Sequence, residues 1–324
     1  MPDLRPESAG HIVSVPGMRS IPKLFAAAGD RAAYALLEYF AARIRNRNTR
    51  EAYARAVWQF ARWCDRKELT LHRIPSIAIA QYVEELGDRL AKPSVKQHLA
   101  AIRMLFDFLV VRHVLDVNPA APVRGPKHIV KRGRTPVLAG HEARQLLDSI
   151  DRTTLIGKRD HAIIAVMIYS FARVGALAAM KVEDYRCQGQ RAWFRLKEKG
   201  GKHYDIPAHT EARASVQAYL LASMPHEGTR TPLFRTIRGG RFTENRMDRR
   251  EVLAMIKRRA LAAGLSPATC CHSFRATGIT QYLLAGGTLE KAQQIAGHES
   301  PKTTKLYDRT NDDIEAEEIE RITL

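Results

Sequence analysis

Along residues 31–115 the apolar positions recur at intervals of three and four. In RNTREAYARAVWQFARWCDRK, Tyr53, Val57, Phe60, Ala61 and Cys64 fall on one face and predict an amphipathic helix. SIAIAQYVEELGDRL marks a second helix. SVKQHLAAIRMLFDFLVVRHV marks a third, with Leu99, Ile102, Leu105, Phe106 and Leu109 inward and Lys96, Arg103 and Arg112 outward. A solvated face is the ordinary explanation for any one of those charges. The period lapses over DVNPAAPVRGPKHIVKRGRTPV, where four prolines stand among lysines and arginines, a composition that predicts an extended basic linker and a domain boundary. Beyond it, LAGHEARQLLDSI and GKRDHAIIAVMIYSFARVGALAAM read as helices, the second apolar nearly all round and therefore buried. In RAWFRLKEKGGKHYDIPAH the pattern shifts to strict alternation. Phe194 and Leu196 precede Gly200 and Gly201, Tyr204 and Ile206 follow, and the stretch predicts a β-hairpin with lysines at its turn. ENRMDRREVLAMIKRRALAAG and SFRATGITQYLLAGG return to helix, each ending at a capping glycine. The expected class is mainly α with a small β-hairpin or sheet, an α+β chain.

Composition narrows what such a chain can be. Its 324 residues suffice for two domains, each with a core of its own. No run approaches the ~18 apolar residues of a membrane span, and the charged, proline-containing N-terminus lacks the apolar core of a secretory signal. A soluble, cytoplasmic protein is expected. Cys64, Cys187, Cys270 and Cys271 form no C-x-x-C pair and suit free thiols in a reducing compartment. The formal charge of +18 is far beyond what solubility needs and is the footprint of a phosphate-backbone binder, which makes nucleic acid the leading partner. Residues 308–324 hold seven acids against Arg309 and Arg321, a net of −5, leaving +23 on residues 1–307. An acidic tail on a basic body suits docking on a basic protein surface, or simple solvation.

Candidate chemistry concentrates in the second half. In HESPKTTKLYDR, Ser300 and Pro301 start a short helix that carries Tyr307 about two turns on, and AQQIAGHES ends a helix at Gly297 and leaves His298 in the connecting turn. A tyrosine on a helix is usually core or surface. In HSFR, His272 and Arg275 are three apart and share a helix face, a natural phosphate clamp or an ordinary basic face. Arg173 lies within an apolar helix, where a guanidinium needs either a buried salt bridge or an anionic ligand. No carboxylate cluster suggests a two-metal nuclease, and no phosphate-binding loop of the G-x-x-x-x-G-K-[ST] kind occurs. Cys270, Cys271, His272 and His298 fit no common zinc spacing.

Taken in order, these segments resemble the tyrosine recombinase, or phage integrase, family, over nearly everything from Arg31 to Arg309. RDHAIIAVMIYSFARVGAL resembles the family's first arginine box, KEKGGKHYDIP its lysine hairpin, and HSFRATGITQYLLAGGTLEKAQQIAGHESPKTTKLYDR its second box with H-x-x-R, G-H and the terminal tyrosine. The resemblance implies a helical, SAM-like core-binding domain joined to a catalytic domain of the DNA breaking-rejoining fold, together a C-shaped clamp on double-stranded DNA. It places an N-terminal extension at 1–30, the core-binding domain at 31–120, a basic linker at 121–136, and the catalytic domain at 137–324 with its tail at 308–324. With only 30 leading residues, an arm-binding domain is not expected; the likeness is to simple, Xer-like recombinases acting on core sites.

Carried over by position, the resemblance implies that Tyr307 attacks a phosphodiester to form a 3′-phosphotyrosyl link. Arg173 and Arg275 would neutralise the phosphate oxygens, Lys199 would protonate the leaving 5′ oxygen, His272 would handle the tyrosine proton, and His298 would hydrogen-bond the phosphate. Lys197 and Lys202 compete for the lysine role, and Lys199 stands directly before the glycine pair. No metal and no nucleotide cofactor is implied, since side chains supply the positive charge and the covalent link stores the energy for resealing. Ala176 stands where the family commonly has an acid three positions after the first arginine, with Glu183 or Asp184 as candidates to compensate. Implied partners are a homotetramer on DNA exchanging C-terminal tails, and accessory DNA-bending proteins. The implied setting is the bacterial nucleoid. A type IB topoisomerase and a binding-only descendant remain as alternatives.

Overall fold

The structure is a computed structural model and describes residues 20–128, 133, 135–197, 201, 203–223 and 230–308. The chain divides into two compact units, residues 1–129 and 130–324.

The first unit is helical: α1 (Lys23–Ala26), α2 (Asp30–Glu38) running into a π-turn at Tyr39–Arg43, α3 (Arg47–Arg66), α4 (Ser76–Gly87) and α5 (Lys92–Val111). The Asn46 side chain starts α3 by accepting from the Thr49 backbone N–H at 3.1 Å, which meets one of the orphan donors of a first turn. All five apolar residues predicted on the inner face of α5 are buried. So are Val57, Phe60, Ala61 and Cys64 of α3, with Tyr53 half-buried at the margin. Phe60 packs edge-on to Tyr82 of α4 and Phe106 of α5, with centroids 5.1 and 5.9 Å away, so one ring ties three helices together. Leu24 and Phe25, ahead of residue 31, are buried in the same core. Arg103 departs from the expected outward face. Half-buried, it donates through Nε to the Ala120 carbonyl at 3.0 Å and braces the turn after α5. Arg112 pairs with Glu38, while Lys96 is exposed.

The second unit runs α6 (Gly140–Asp148), α7 (Leu155–Tyr169), α8 (Val174–Ala179), β1 (Tyr185–Gln188), β2 (Arg191–Lys197), β3 (His203–Pro207), α9 (Thr210–Ser223), β4 (Arg235–Arg238), β5 (Arg241–Arg246), α10 (Arg249–Ala262), α11 (Cys271–Leu284), α12 (Leu289–Ala296) and α13 (Pro301–Lys305). Helix α7, apolar nearly all round as the sequence indicates, is enclosed by α9 and α11 and forms the centre of the core. The predicted hairpin pairs Phe194 with Ile206 and Leu196 with Tyr204, and β1 joins it to make a three-stranded antiparallel sheet in the order β1-β2-β3. The mainly α architecture with small antiparallel sheets is the class expected.

Two elements differ from the sequence reading. The long apolar segment is not one helix: α7 stops at Tyr169, and Phe171 takes a left-handed backbone with φ 53° before α8 begins. Residues 244–246, read as the start of a helix, belong instead to β5, which pairs with β4 across Gly239 and Gly240. Those glycines have φ of 55° and 74°, the left-handed pair a tight hairpin turn demands. Helix α10 starts only after Asp248, whose carboxylate accepts from the Arg250 and Glu251 backbone N–H groups at 2.7 and 2.9 Å. The four cysteines are free thiols. Among the described residues no helix is long and apolar enough to cross a membrane.

Candidate active site

Five of the six sequence-predicted residues converge where the end of α7, the start of α11, the end of α12 and the turn after α13 meet. Arg173 is not inside a helix, as the apolar run suggested. It is the half-buried residue immediately before α8, brought there by the chain reversal at Phe171. That reversal holds a bulky residue in an unfavourable backbone region, and its product is a carbonyl aimed at Arg275. Arg275, only 1% exposed, donates to the Phe171 carbonyl through Nη1 and to the Ala296 carbonyl through Nη2 at 2.5 Å. Two ends of the fold thereby orient one guanidinium, and the fit is close. At Gly278, one turn further along α11, a Cβ would stand 2.1 Å from the Ile168 carbonyl oxygen, so only glycine lets α11 approach α7.

His272 is an exposed residue in the first turn of α11. Partial desolvation, then the charges of Arg275 and Arg173, hold it below the usual histidine range. His298 follows Gly297, which closes α12 in the left-handed region with φ 59°. Its backbone is held twice by Gln293: the His298 N–H donates to the Gln293 carbonyl at 3.1 Å, and the Gln293 amide donates to the His298 carbonyl at 3.0 Å. His298 is 8% exposed, and its Nδ1 lies 2.8 Å from Thr304 Oγ1. Burial first, and then Arg275 and Arg173, bring its pKa down to about 4, so the ring is neutral at pH 7. Both histidines respond to the same two arginines, which places the four groups within one electrostatic neighbourhood.

Tyr307 stands one residue past the C-cap of the five-residue α13, not on the helix itself. Its N–H donates to the Thr304 carbonyl at 2.9 Å and its carbonyl accepts from Thr280 Oγ1 of α11 at 2.8 Å. The half-buried ring lies parallel to that of His298, with centroids 5.9 Å apart and planes 8° apart, over a small apolar cluster of Phe171, Ile279, Leu283, Ala292 and Ala296. The preceding carbonyl, that of Leu306, accepts from the Gly133 N–H at 3.1 Å.

Lys199 and its competitor Lys202 lie outside the described residues, as does the tail from residue 309. Lys197 is exposed at the end of β2. Ala176 is buried in α8. Of the two carboxylates considered to compensate for it, Glu183 pairs with the Lys181 ammonium at 3.1 Å, and Asp184 accepts from the Lys181 backbone N–H at 2.9 Å. Thr280, Thr304 and Phe171, which hold the site together, escaped the sequence reading. A threonine hydroxyl aimed at a main-chain carbonyl or an imidazole leaves no periodic trace, and nothing local marks Phe171 for a left-handed backbone.

Residues 136–313 match the phage integrase family, and residues 35–113 match its N-terminal SAM-like domain. Tyrosine recombinase XerC of Pelobacter propionicus is 30% identical over 265 residues, which is 80% of this chain and 84% of that protein. Tyrosine recombinase XerD of Corynebacterium glutamicum is 26% identical over 272 residues, 80% of this chain and 86% of that one. Among solved structures, XerH recombinase in a post-cleavage complex with palindromic difH substrate superposes with a TM-score of 0.69 at 16% identity, covering 86% of this chain and 80% of its own. A lambda integrase dimer bound to a COC′ core site gives 0.65 at 19% identity, over 88% and 79%. The two structural likenesses are of fold, and the sequence matches carry the kinship: this chain belongs to the phage integrase family, the tyrosine recombinases.

Proposed function

We propose that in this site-specific DNA recombinase Tyr307 is the nucleophile, working on double-stranded DNA within the pocket of Arg173, His272, Arg275 and His298. The phenolic oxygen attacks a phosphodiester, the bond from phosphorus to the 5′ oxygen breaks, and the products are a 3′-phosphotyrosyl link and a 5′-hydroxyl. Attack of a 5′-hydroxyl from the paired site on that link, with release of the tyrosine, completes the exchange with no net loss of a phosphodiester. Arg173 and Arg275 offset the charge that grows on the phosphate oxygens in the transition state. His272, whose pKa is held below the usual histidine range by desolvation and then by the two arginines, is suited to take the phenolic proton, because a base must be unprotonated at working pH. His298 donates a hydrogen bond to the phosphate, and Lys199 protonates the departing 5′ oxygen. The reading needs no metal or nucleotide cofactor.

The observation that most supports it is the gathering of two guanidinium groups and two imidazoles, both with pKa values held down, around the turn that bears Tyr307. Assembly as a homotetramer on paired core sites, with the C-terminal tail of each subunit docked on its neighbour, belongs to the same proposal. So do accessory DNA-bending partners, a cytoplasmic setting on nucleoid DNA, and domains at 31–120 and 137–324 joined by the linker at 121–136. A nicked suicide duplex, from which the short 5′-terminated fragment diffuses away, tests the chemistry. The intact protein should accumulate a covalent adduct in the presence of EDTA, and Tyr307→Phe should form none. Adduct formation or strand exchange by Tyr307→Phe would overturn the assignment.

A further inference from the structure

We propose that Thr304 is a positioning residue that sets the tautomer of His298, donating its hydroxyl proton to Nδ1 so that the single proton of the ring resides on Nε2, available to the scissile phosphate. The second half of this statement rests on the recombinase reading of the site; the first half concerns the free protein alone.

The 2.8 Å contact between His298 Nδ1 and Thr304 Oγ1 can be made in two ways. A neutral imidazole carries one N–H and one bare nitrogen, and a hydroxyl carries one proton and two lone pairs. If Nδ1 held the proton, it would donate to Oγ1, and the hydroxyl proton would then need an acceptor of its own. Thr304 is completely buried, and among the described residues its hydroxyl has no partner other than His298. The hydroxyl proton would therefore be stranded away from water. If the hydroxyl donates instead, its proton is used, Nδ1 is satisfied as an acceptor, and the one remaining ring proton lies on Nε2. A tenfold preference for this arrangement corresponds to about 1.4 kcal/mol, toward the lower end of what an unmade buried donor costs.

Local architecture leaves the ring few alternatives. His298 is pinned at both its N–H and its carbonyl by Gln293. Flipping the ring would set a carbon against the hydroxyl in place of Nδ1. Burial, and then the charges of Arg275 and Arg173, disfavour the doubly protonated ring, so the choice is between two neutral forms. Thr304 also accepts the Tyr307 N–H through its carbonyl at 2.9 Å. One buried residue therefore fixes both the backbone of the tyrosine turn and the proton of the neighbouring histidine. In the opposite tautomer a bare Nε2 lone pair would confront a phosphate oxygen, and a donor would become a repulsive neighbour.

The tautomer is read directly from long-range proton–nitrogen correlation spectra of the full chain labelled with nitrogen-15 histidine at pH 7, with His298→Gln identifying the signals. The expected spectrum has Nε2 protonated and Nδ1 bare, and obtaining it needs no variant of Thr304 to fold. Thr304→Val should bring the two nitrogens toward an averaged position and slow single-turnover cleavage of the nicked suicide duplex about tenfold at unchanged DNA affinity. Thr304→Ser, which keeps the hydroxyl, should restore both readouts. In a His298→Ala background Thr304→Val should cost nothing further, whereas a purely structural role would give the same loss in either background. An Nδ1-protonated ring in the intact protein overturns the proposal, as does a Thr304→Val protein with an unshifted spectrum and full cleavage rate. Cleavage by Tyr307→Phe would sink the functional assignment instead and leave the spectrum to decide the tautomer separately.

Discussion

Beside two guanidinium groups and largely shut from water, the His298 imidazole gains a proton in the unfolded chain more readily than in the folded one. With a native pKa of about 4 and an ordinary value of 6.5 when unfolded, its contribution to stability is complete above pH 6.5. That contribution is lost as pH falls toward 4, because only the unfolded state binds the proton across that window. His272 and His161 are displaced in the same direction, chiefly by desolvation, and steepen the same decline. We expect urea unfolding to show a drop in stability from pH 7 to pH 5 that is about 1–2 kcal/mol smaller for His298→Gln than for the intact protein. Equal drops would mean the ring is not held neutral by its surroundings. At this scale Arg173, His272, Arg275, His298 and Tyr307 are proposed for the site because the motifs around them resemble the family's arginine and tyrosine boxes. Their supports carry no such mark: Phe171 acts through a backbone reversal on a partner 104 residues away, and Thr280 and Thr304 act through hydroxyl contacts to partners 27 and 6 residues away.

Helix α7 shows what holds these residues at the scale of elements. Near its N-terminal end Asp160 is fully buried and receives two hydrogen bonds from Arg159, at 3.1 and 2.8 Å, and two from Arg259 of α10, at 3.0 and 2.8 Å. Each guanidinium places two donors on one carboxylate oxygen, Arg159 on Oδ1 and Arg259 on Oδ2, which compensates the buried charge and leaves two guanidinium groups dependent on it. Asp160→Asn keeps the volume and removes that charge. The expected cost is about 3–5 kcal/mol, a fall of about 10 °C in melting temperature for a unit of this size. A melting temperature within a degree or two of the intact protein would show the cluster to be dispensable. Elements that bury one face were legible throughout: the stripes of α3 and α5 and the alternation of β2 and β3 follow directly from their apolar spacing. The break between α7 and α8 was not, since a segment apolar on all sides has no period to lose at Ser170. The β4–β5 hairpin was masked differently: the arginines and polar residues around Ile237 and Phe242 hide the alternation that would have identified its strands on either side of Gly239 and Gly240.

For the chain as a whole the governing quantity is charge and its uneven placement. A formal +18 predicts that affinity for a single core site falls steeply with salt, by about three to five orders of magnitude between 50 and 200 mM if ~6–10 phosphates are neutralised. Removing residues 311–324 deletes six acids and one arginine, so the remaining chain carries +23. On electrostatic grounds the shortened protein must bind DNA at least as tightly as the intact one, with at least as steep a salt dependence. The tail also carries Ile314, Ile319 and Ile322 among its acids, a pattern suited to docking on a basic-rimmed groove of a neighbouring subunit. The two effects have opposite signs in different assays. Fluorescence anisotropy on one site should show affinity retained or raised on truncation, while pairing of two sites and strand exchange should fall sharply. A truncated protein that recombines as well as the intact one would remove the tail from assembly, and one that loses affinity for the single site would mean that the tail touches DNA directly. Retained binding with lost exchange is the result that assigns those residues to contacts between subunits.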